Sequence, residues 1–161
     1  MKTIIVYFSL EGNTKYAAEK IAEGLGADLL ALEPVMPYPK NGVSKFLIGG
    51  MKASLHDAPA LKAYTADLSQ YECVIFGTPV WASTFAPPLR SFIKKNNLSG
   101  KKLAFFACSK SGNAGKPFQD LAKELRANYI IAELSLIDPF LKKKDGDLEK
   151  IKMFCSKIQE A

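Results

Sequence analysis

The residues best placed to do chemistry are uncharged. Ser9-Leu10-Glu11-Gly12-Asn13-Thr14 lies between an apolar run, Thr3 to Phe8, and a segment whose apolar residues recur at helical spacing. A helix that starts here presents unpaired backbone N–H groups and the positive end of its dipole. Ser9, Asn13 and Thr14 add side-chain donors, and Gly12 lets the backbone come close. Such a set can wrap a phosphate without a cationic side chain. Hydrogen bonds to a charged group contribute about 1.5–3 kcal/mol each. The dipole adds about 0.3–2 kcal/mol. Together they outweigh a missing lysine. A ligand-free, capped strand-to-helix turn has the same composition, so the motif alone does not decide between them.

Two further stretches have the same character. One runs from Thr78 through Pro79, Val80, Trp81, Ala82 and Ser83 to Ala86, and holds the single tryptophan. The other is Ser109-Lys110-Ser111-Gly112-Asn113, continuing to Lys116. Each directly follows an apolar run.

Those runs are the elements that must position the loops. Thr3–Phe8, Glu72–Phe76 and Lys102–Cys108 are continuous apolar segments rich in β-branched and aromatic residues, as in strands buried on both faces. Ala27–Leu32 reads as a further strand. Tyr129–Ile137 starts apolar and then alternates, as in an edge strand. Helical faces follow in turn: Ala17, Ala18, Ile21 and Leu25; Leu89, Phe92 and Ile93 after Pro87-Pro88; Phe118, Leu121 and Leu125; then Leu148, Ile151, Cys155 and Ile158. A short helix is expected over Val43–Leu55. Pro34 to Pro39 suits neither a helix nor a central strand. Strand and helix alternate, with no repeat and no internal linker, over one domain spanning residues 1–161. That order predicts a parallel sheet with helices on both faces. Ligands of such sheets bind beyond the carboxyl ends of the strands, where the three polar loops fall.

Other chemistries lack their residues. The P-loop order Gly-Lys-Ser/Thr and the dinucleotide pattern G-x-G-x-x-G are missing from the first turn. A phosphatase loop of the form Cys-x5-Arg fails, because Ala114 stands where Cys108 would need the arginine. A receiver domain needs an acidic pair after the first strand and an aspartate at the end of the third. Ser9-Leu10 and Gly77-Thr78 stand there. Cys73, Cys108 and Cys155 are far apart and set in apolar runs, as buried thiols in a reducing compartment are, so no metal site is expected. His56 is the only histidine and is read as a surface or structural residue. The net charge of +6 comes from scattered lysines at expected helix ends and loops, including Lys94-Lys95, Lys101-Lys102 and Lys142–Lys144. Without interleaved aromatics these do not form a nucleic-acid surface. No apolar run nears the roughly 20 residues of a membrane span. The first residues lack a secretory cleavage pattern, so a cytoplasmic protein is expected.

Tyr7-Phe8-Ser9-Leu10-Glu11-Gly12-Asn13-Thr14 resembles the phosphate loop of the flavodoxin family, usually Ser/Thr-x-Thr/Ser-Gly-x-Thr. Gly77-Thr78-Pro79-Val80-Trp81-Ala82, followed by Ala86-Pro87-Pro88, is similar to that family's second flavin loop. Cys108 to Gly115 occupies the place of the third. The resemblance covers the whole element order. It implies a three-layer fold with a five-stranded parallel sheet of order 2-1-3-4-5, binding one FMN non-covalently. Ser9, Leu10, Glu11, Gly12, Asn13 and Thr14 would surround the phosphate. Thr78, Pro79, Val80, Trp81, Ala82 and Ser83 would run beside the isoalloxazine. Ser109, Lys110, Ser111, Gly112 and Asn113 would line its other side and the pyrimidine.

The chain departs from that family in telling places. Glu11 replaces a hydroxyl residue. A carboxylate about 4 Å from a phosphate charge would repel it by ~4 kcal/mol at an effective dielectric of 20. The Glu11 side chain is therefore expected to face solvent while its N–H binds. The third loop has no aromatic residue to cover the outer flavin face. The charge is basic where electron-transfer flavodoxins are acidic. The long-chain insertion in the last strand is absent. The open outer face and the basic charge tilt the expectation toward hydride transfer from NAD(P)H to a quinone or nitro compound. One-electron shuttling to a redox partner protein stands close behind, and a non-catalytic interaction module is the third alternative. The segment Pro34–Tyr71 can cover the sheet, shape the pocket or form a homodimer contact.

Overall fold

The computed structural model describes residues 1–39, 57–126, 129–142, 144 and 146–161. The expected helix over Val43–Leu55, and His56, lie outside the described residues. In chain order the elements are β1 (Thr3–Tyr7), α1 (Asn13–Leu25), β2 (Asp28–Ala31), β3 (Cys73–Trp81), β4 (Thr84–Phe85), α2 (Pro87–Lys95), β5 (Lys102–Ser109), α3 (Gly115–Glu124), β6 (Tyr129–Ile137) and α4 (Asp147–Glu160). The sheet runs β2-β1-β3-β5-β6, with β4 paired to β3 alone. Counting only the parallel strands, this is the expected order 2-1-3-4-5.

The apolar runs form strands because both of their faces are covered. One face packs Val6, Phe76 and Phe105 against Leu89 and Phe92 of α2 and Phe118 and Leu121 of α3. The other packs Ile5, Ile75 and Phe106 against Ala17 and Ile21 of α1 and Ile151 and Phe154 of α4. Register carries this alternation across the sheet: Ile5 pairs with Ile75, and Ile75 with Ala104. Gly77 ends the fully apolar part of β3. A Cβ there would lie 2.1 Å from Cζ of Phe106, so the neighbouring ring takes the space.

The structure corrects one boundary. The sequence reading has the third strand, Glu72–Phe76, end at Gly77-Thr78-Pro79. Instead β3 continues to Trp81 and turns back as a hairpin, with Val80 opposite Phe85 and Trp81 opposite Thr84. Thr78 makes this workable. Its buried hydroxyl accepts from the Ala86 N–H at 2.9 Å and donates to the Pro79 carbonyl at 2.8 Å, closing the base of the hairpin. At the tip, Ala82 and Ser83 both have positive φ, 47° and 60°. Two such residues in succession mark a mirror-image turn that normally takes Asn-Gly.

The hairpin is held from behind. Thr84 donates to the Asp120 carboxylate on α3 at 2.8 Å. Arg90 is almost fully buried, pairs with Glu124 at 2.6 Å and lies 4.5 Å from the Phe85 ring. A left-handed conformation costs a non-glycine residue about 1–2 kcal/mol. Ser83→Gly should therefore raise stability by about 1 kcal/mol, read as a higher urea midpoint at unchanged m-value.

All three cysteines are buried and free, as expected. Burial pushes the Cys108 thiol up to about 12 and the Cys73 thiol up to about 11, from an ordinary 9.0; hydrogen bonds from Thr14 and Thr3 pull the other way. Above pH 9 the unfolded thiols lose protons that the folded ones keep. The unfolded state then binds fewer protons, so stability falls as pH rises through this window. The urea midpoint should drop between pH 8 and pH 10.5, and drop less in the Cys73→Ala/Cys108→Ala double variant.

Candidate functional site

Beyond the carboxyl ends of β1, β3 and β5 the three polar loops meet around one cleft of about 290 Å³. The first loop contributes Ser9, Leu10, Glu11, Asn13 and Thr14. The hairpin contributes Pro79, Val80, Trp81 and Ala82. The third loop contributes Cys108, Ser109, Lys110 and Ser111. Gly12, Thr78, Ser83, Gly112 and Asn113, also singled out by sequence, do not line it.

The first loop ends in an N-terminus without a cap. Gly12 is the N-cap of α1 at φ 97°, offers no side-chain hydrogen bond, and is followed by no acidic residue in the first turn. The first N–H groups of α1 thus keep their donor capacity and the dipole stays unbalanced. Beside them the Ser9 hydroxyl is buried with no hydrogen-bond partner. An orphaned buried hydroxyl costs about 1–3 kcal/mol unless a ligand satisfies it. Glu11 is exposed, in line with the expectation for its side chain.

Asn13 departs from the sequence reading, in which its amide is a donor for the ligand. The side chain instead turns to the segment after β6. Its Oδ1 accepts from the N–H groups of Phe140 and Leu141 at 2.9 and 3.2 Å, and its Nδ2 donates to Asp138 at 3.4 Å. Thr14 is likewise directed inward, to the Cys108 thiol.

The hairpin wall is aromatic and supported. Trp81 is half-buried and meets Tyr38 and Phe8 edge to face, with ring centroids 4.9 and 5.4 Å apart. Its orientation is therefore set by packing before any ligand arrives. Burial, with Asp57 nearby, pushes the Tyr38 hydroxyl up to about 12.

The third loop is braced by its own polar groups. The Ser109 hydroxyl accepts from the Gly112 N–H at 2.9 Å, and the Ser135 hydroxyl donates to the Gly112 carbonyl. Asn113 accepts from the Gly115 N–H at 3.3 Å. At Gly112, where φ is 75°, a Cβ would lie 2.9 Å from Ile137. These residues shape the loop while Lys110 stays exposed on its rim.

Three contributors escaped sequence reasoning. Asp138 lines the cleft, is buried and sits at φ 42°. An acid directly after an edge strand and before Pro139 was the available signal. Phe8 reads as one more strand residue, and Tyr38 sits in a proline-rich stretch with no periodicity to place it.

Among the described residues no cluster of His, Cys, Asp and Glu could hold a metal ion, and no helix is long and apolar enough to cross a membrane.

Comparisons with known proteins follow the same geometry. The chain is similar over 98% of its length, and 98% of the other's, to a solved Bacteroides eggerthii protein, at 26% identity and a TM-score of 0.78. It shares the fold of a Lactobacillus acidophilus flavoprotein solved in complex with FMN (22% identity, TM-score 0.72, 86% of this chain and 93% of that one). It also shares the fold of oxidised flavodoxin 2 from Bacillus cereus (20% identity, TM-score 0.66, 99% of both chains). A curated relative from Geotalea uraniireducens, named NAD(P)H dehydrogenase (quinone), is 26% identical over 127 residues, or 72% of this chain. The match spans 62% of that relative's length. The flavodoxin family model matches residues 2–146, and the chain belongs to the flavodoxin family.

Proposed function

We propose that the chain binds FMN non-covalently in this cleft and serves as a two-electron oxidoreductase, passing hydride equivalents from NAD(P)H to a quinone or nitro acceptor. The observation that carries the binding is the Ser9 hydroxyl, buried without a partner beside the uncapped N-terminus of α1. A phosphate group is the complement of that donor set. Ser9 and the backbone N–H groups from Leu10 to Thr14 would hold it. Trp81, with Pro79 and Ala82, would offer an apolar wall to a flat ring. The third loop would supply the opposite wall. Bound there, FMN supplies the redox chemistry at N5, and the protein supplies binding, orientation and field.

The two-electron mode rests on the walls. The third loop carries no aromatic residue to cover the ring, so a second flat substrate has access. The basic charge favours an anionic nicotinamide nucleotide over a basic protein partner. The name of the curated relative points the same way. One-electron shuttling is the second reading, favoured by family membership itself.

An anaerobic reductive titration of the FMN-loaded protein separates the two. Hydride chemistry predicts a direct passage from the oxidised to the fully reduced spectrum, and reduction by NAD(P)H. A third absorbing species midway, with no reaction toward NAD(P)H, would make the chain a shuttle. Ser9→Ala removes one hydrogen bond to a charged group, worth about 1.5–3 kcal/mol. FMN affinity should fall by about tenfold or more, measured by quenching of flavin fluorescence.

A further inference from the structure

The Asn13 amide spends its hydrogen bonds on the segment that follows β6. Oδ1 accepts from both Phe140 N–H and Leu141 N–H, and Nδ2 reaches the buried carboxylate of Asp138. This joins α1 to a segment more than 120 residues away. Asp138 is further tied to its own turn, through the Lys142 N–H to its carbonyl at 2.7 Å and the Lys142 ammonium 3.9 Å from its carboxylate. The strap brings Phe140 down on the phosphate loop. A Cβ on Gly12 would lie 3.1 Å from the Phe140 ring, and the Tyr16 ring is 6.2 Å away. Phe140 thus takes the space that a side chain at Gly12, φ 97°, would fill, and the Gly12 carbonyl accepts the first α1 hydrogen bond, from the Tyr16 N–H at 2.9 Å.

We infer that Asn13 is a positioning residue. Its side chain straps the Asp138–Leu141 segment onto the phosphate loop, and the fixed loop then aims the Ser9 hydroxyl and the first N–H groups of α1 at a phosphate ester. Discrimination between a phosphorylated flavin and its dephosphorylated form resides in that strap as well as in the donors. The inference rests on the FMN reading above. It differs from direct contact, because the amide stays on Phe140 and Leu141 when the ligand is bound.

Two measurements test it. In the wild-type protein, the Phe140 and Leu141 amides should be protected from hydrogen exchange without ligand and stay protected on FMN loading. Loss of protection at these two amides on loading would mean that the side chain swings to the phosphate, and would overturn the inference. In Asn13→Ala, FMN affinity should fall by about tenfold, while riboflavin affinity stays within about threefold of wild type. Equal losses for both flavins would reduce Asn13 to a structural residue, and wild-type affinity for both would remove it from recognition altogether; either result overturns the inference. If the wild-type protein bound neither flavin, the functional reading would fall and this inference with it. FMN binding without the predicted ratio would sink the inference alone.

Discussion

Parallel strands end at one edge of their sheet, and the rest of this molecule follows from that constraint. β1, β3 and β5 run side by side in register, so their last residues and the turns after them arrive together. The helices that follow must start there too. The edge therefore collects helix N-termini, with N–H groups that nothing within the helix can satisfy. At α4 the chain supplies Asp147 and Glu149 in the first turn to answer the dipole. At α1 it supplies none, and it buries the unpaired Ser9 hydroxyl alongside. The N-termini of α2 and α3 also lack acidic first-turn residues, but among the described residues only α1 has a buried, unpartnered hydroxyl directly before it.

On the proposed reading, that donor set would let a basic protein recognise an anion without a cationic side chain in its first loop. Backbone donors are fixed by the helix and lose no side-chain entropy on binding, whereas a lysine must be ordered first. The charge of +6 is then free to act at longer range, raising the local concentration of anionic ligands. Glu11 fits this division. Exposed on the rim, it is screened by solvent, while its backbone remains part of the turn.

The framework was legible because its signals are periodic and its faces demanding. Runs such as Thr3–Phe8 and Lys102–Cys108 had to be buried on both sides, and the helical faces of α1 and α4 had to cover them. What stayed hidden depends on contacts distant in sequence. Pro79 argued for the end of a strand; only the Thr78 hydroxyl, reaching Ala86 and the Pro79 carbonyl, turns that proline into part of a hairpin. The three loops were found, yet the use of their polar groups was not. Ser109 and Asn113 read as lining residues, and their side chains brace the loop. Asn13 reads as a phosphate donor and holds Phe140 and Leu141, residues whose nearness no local pattern announces.

This deployment has a consequence for mechanism. Each wall of the cleft is set by bonds internal to the protein: the hairpin by Thr78, Thr84 and the packing of Trp81 on Phe8 and Tyr38, the third loop by Ser109 and Ser135, the first by Asn13. Rigid walls need little reorganisation when a ring carried between them changes its charge, and a preformed polar environment is worth most in that case. The hairpin sharpens the point. Ala82 and Ser83 hold left-handed conformations that cost free energy in the folded protein. The pairing of Trp81 with Thr84 closes the two strands directly below that tip. On the proposed two-electron reading, walls set in this way would present the flavin to a second substrate entering along the less covered side.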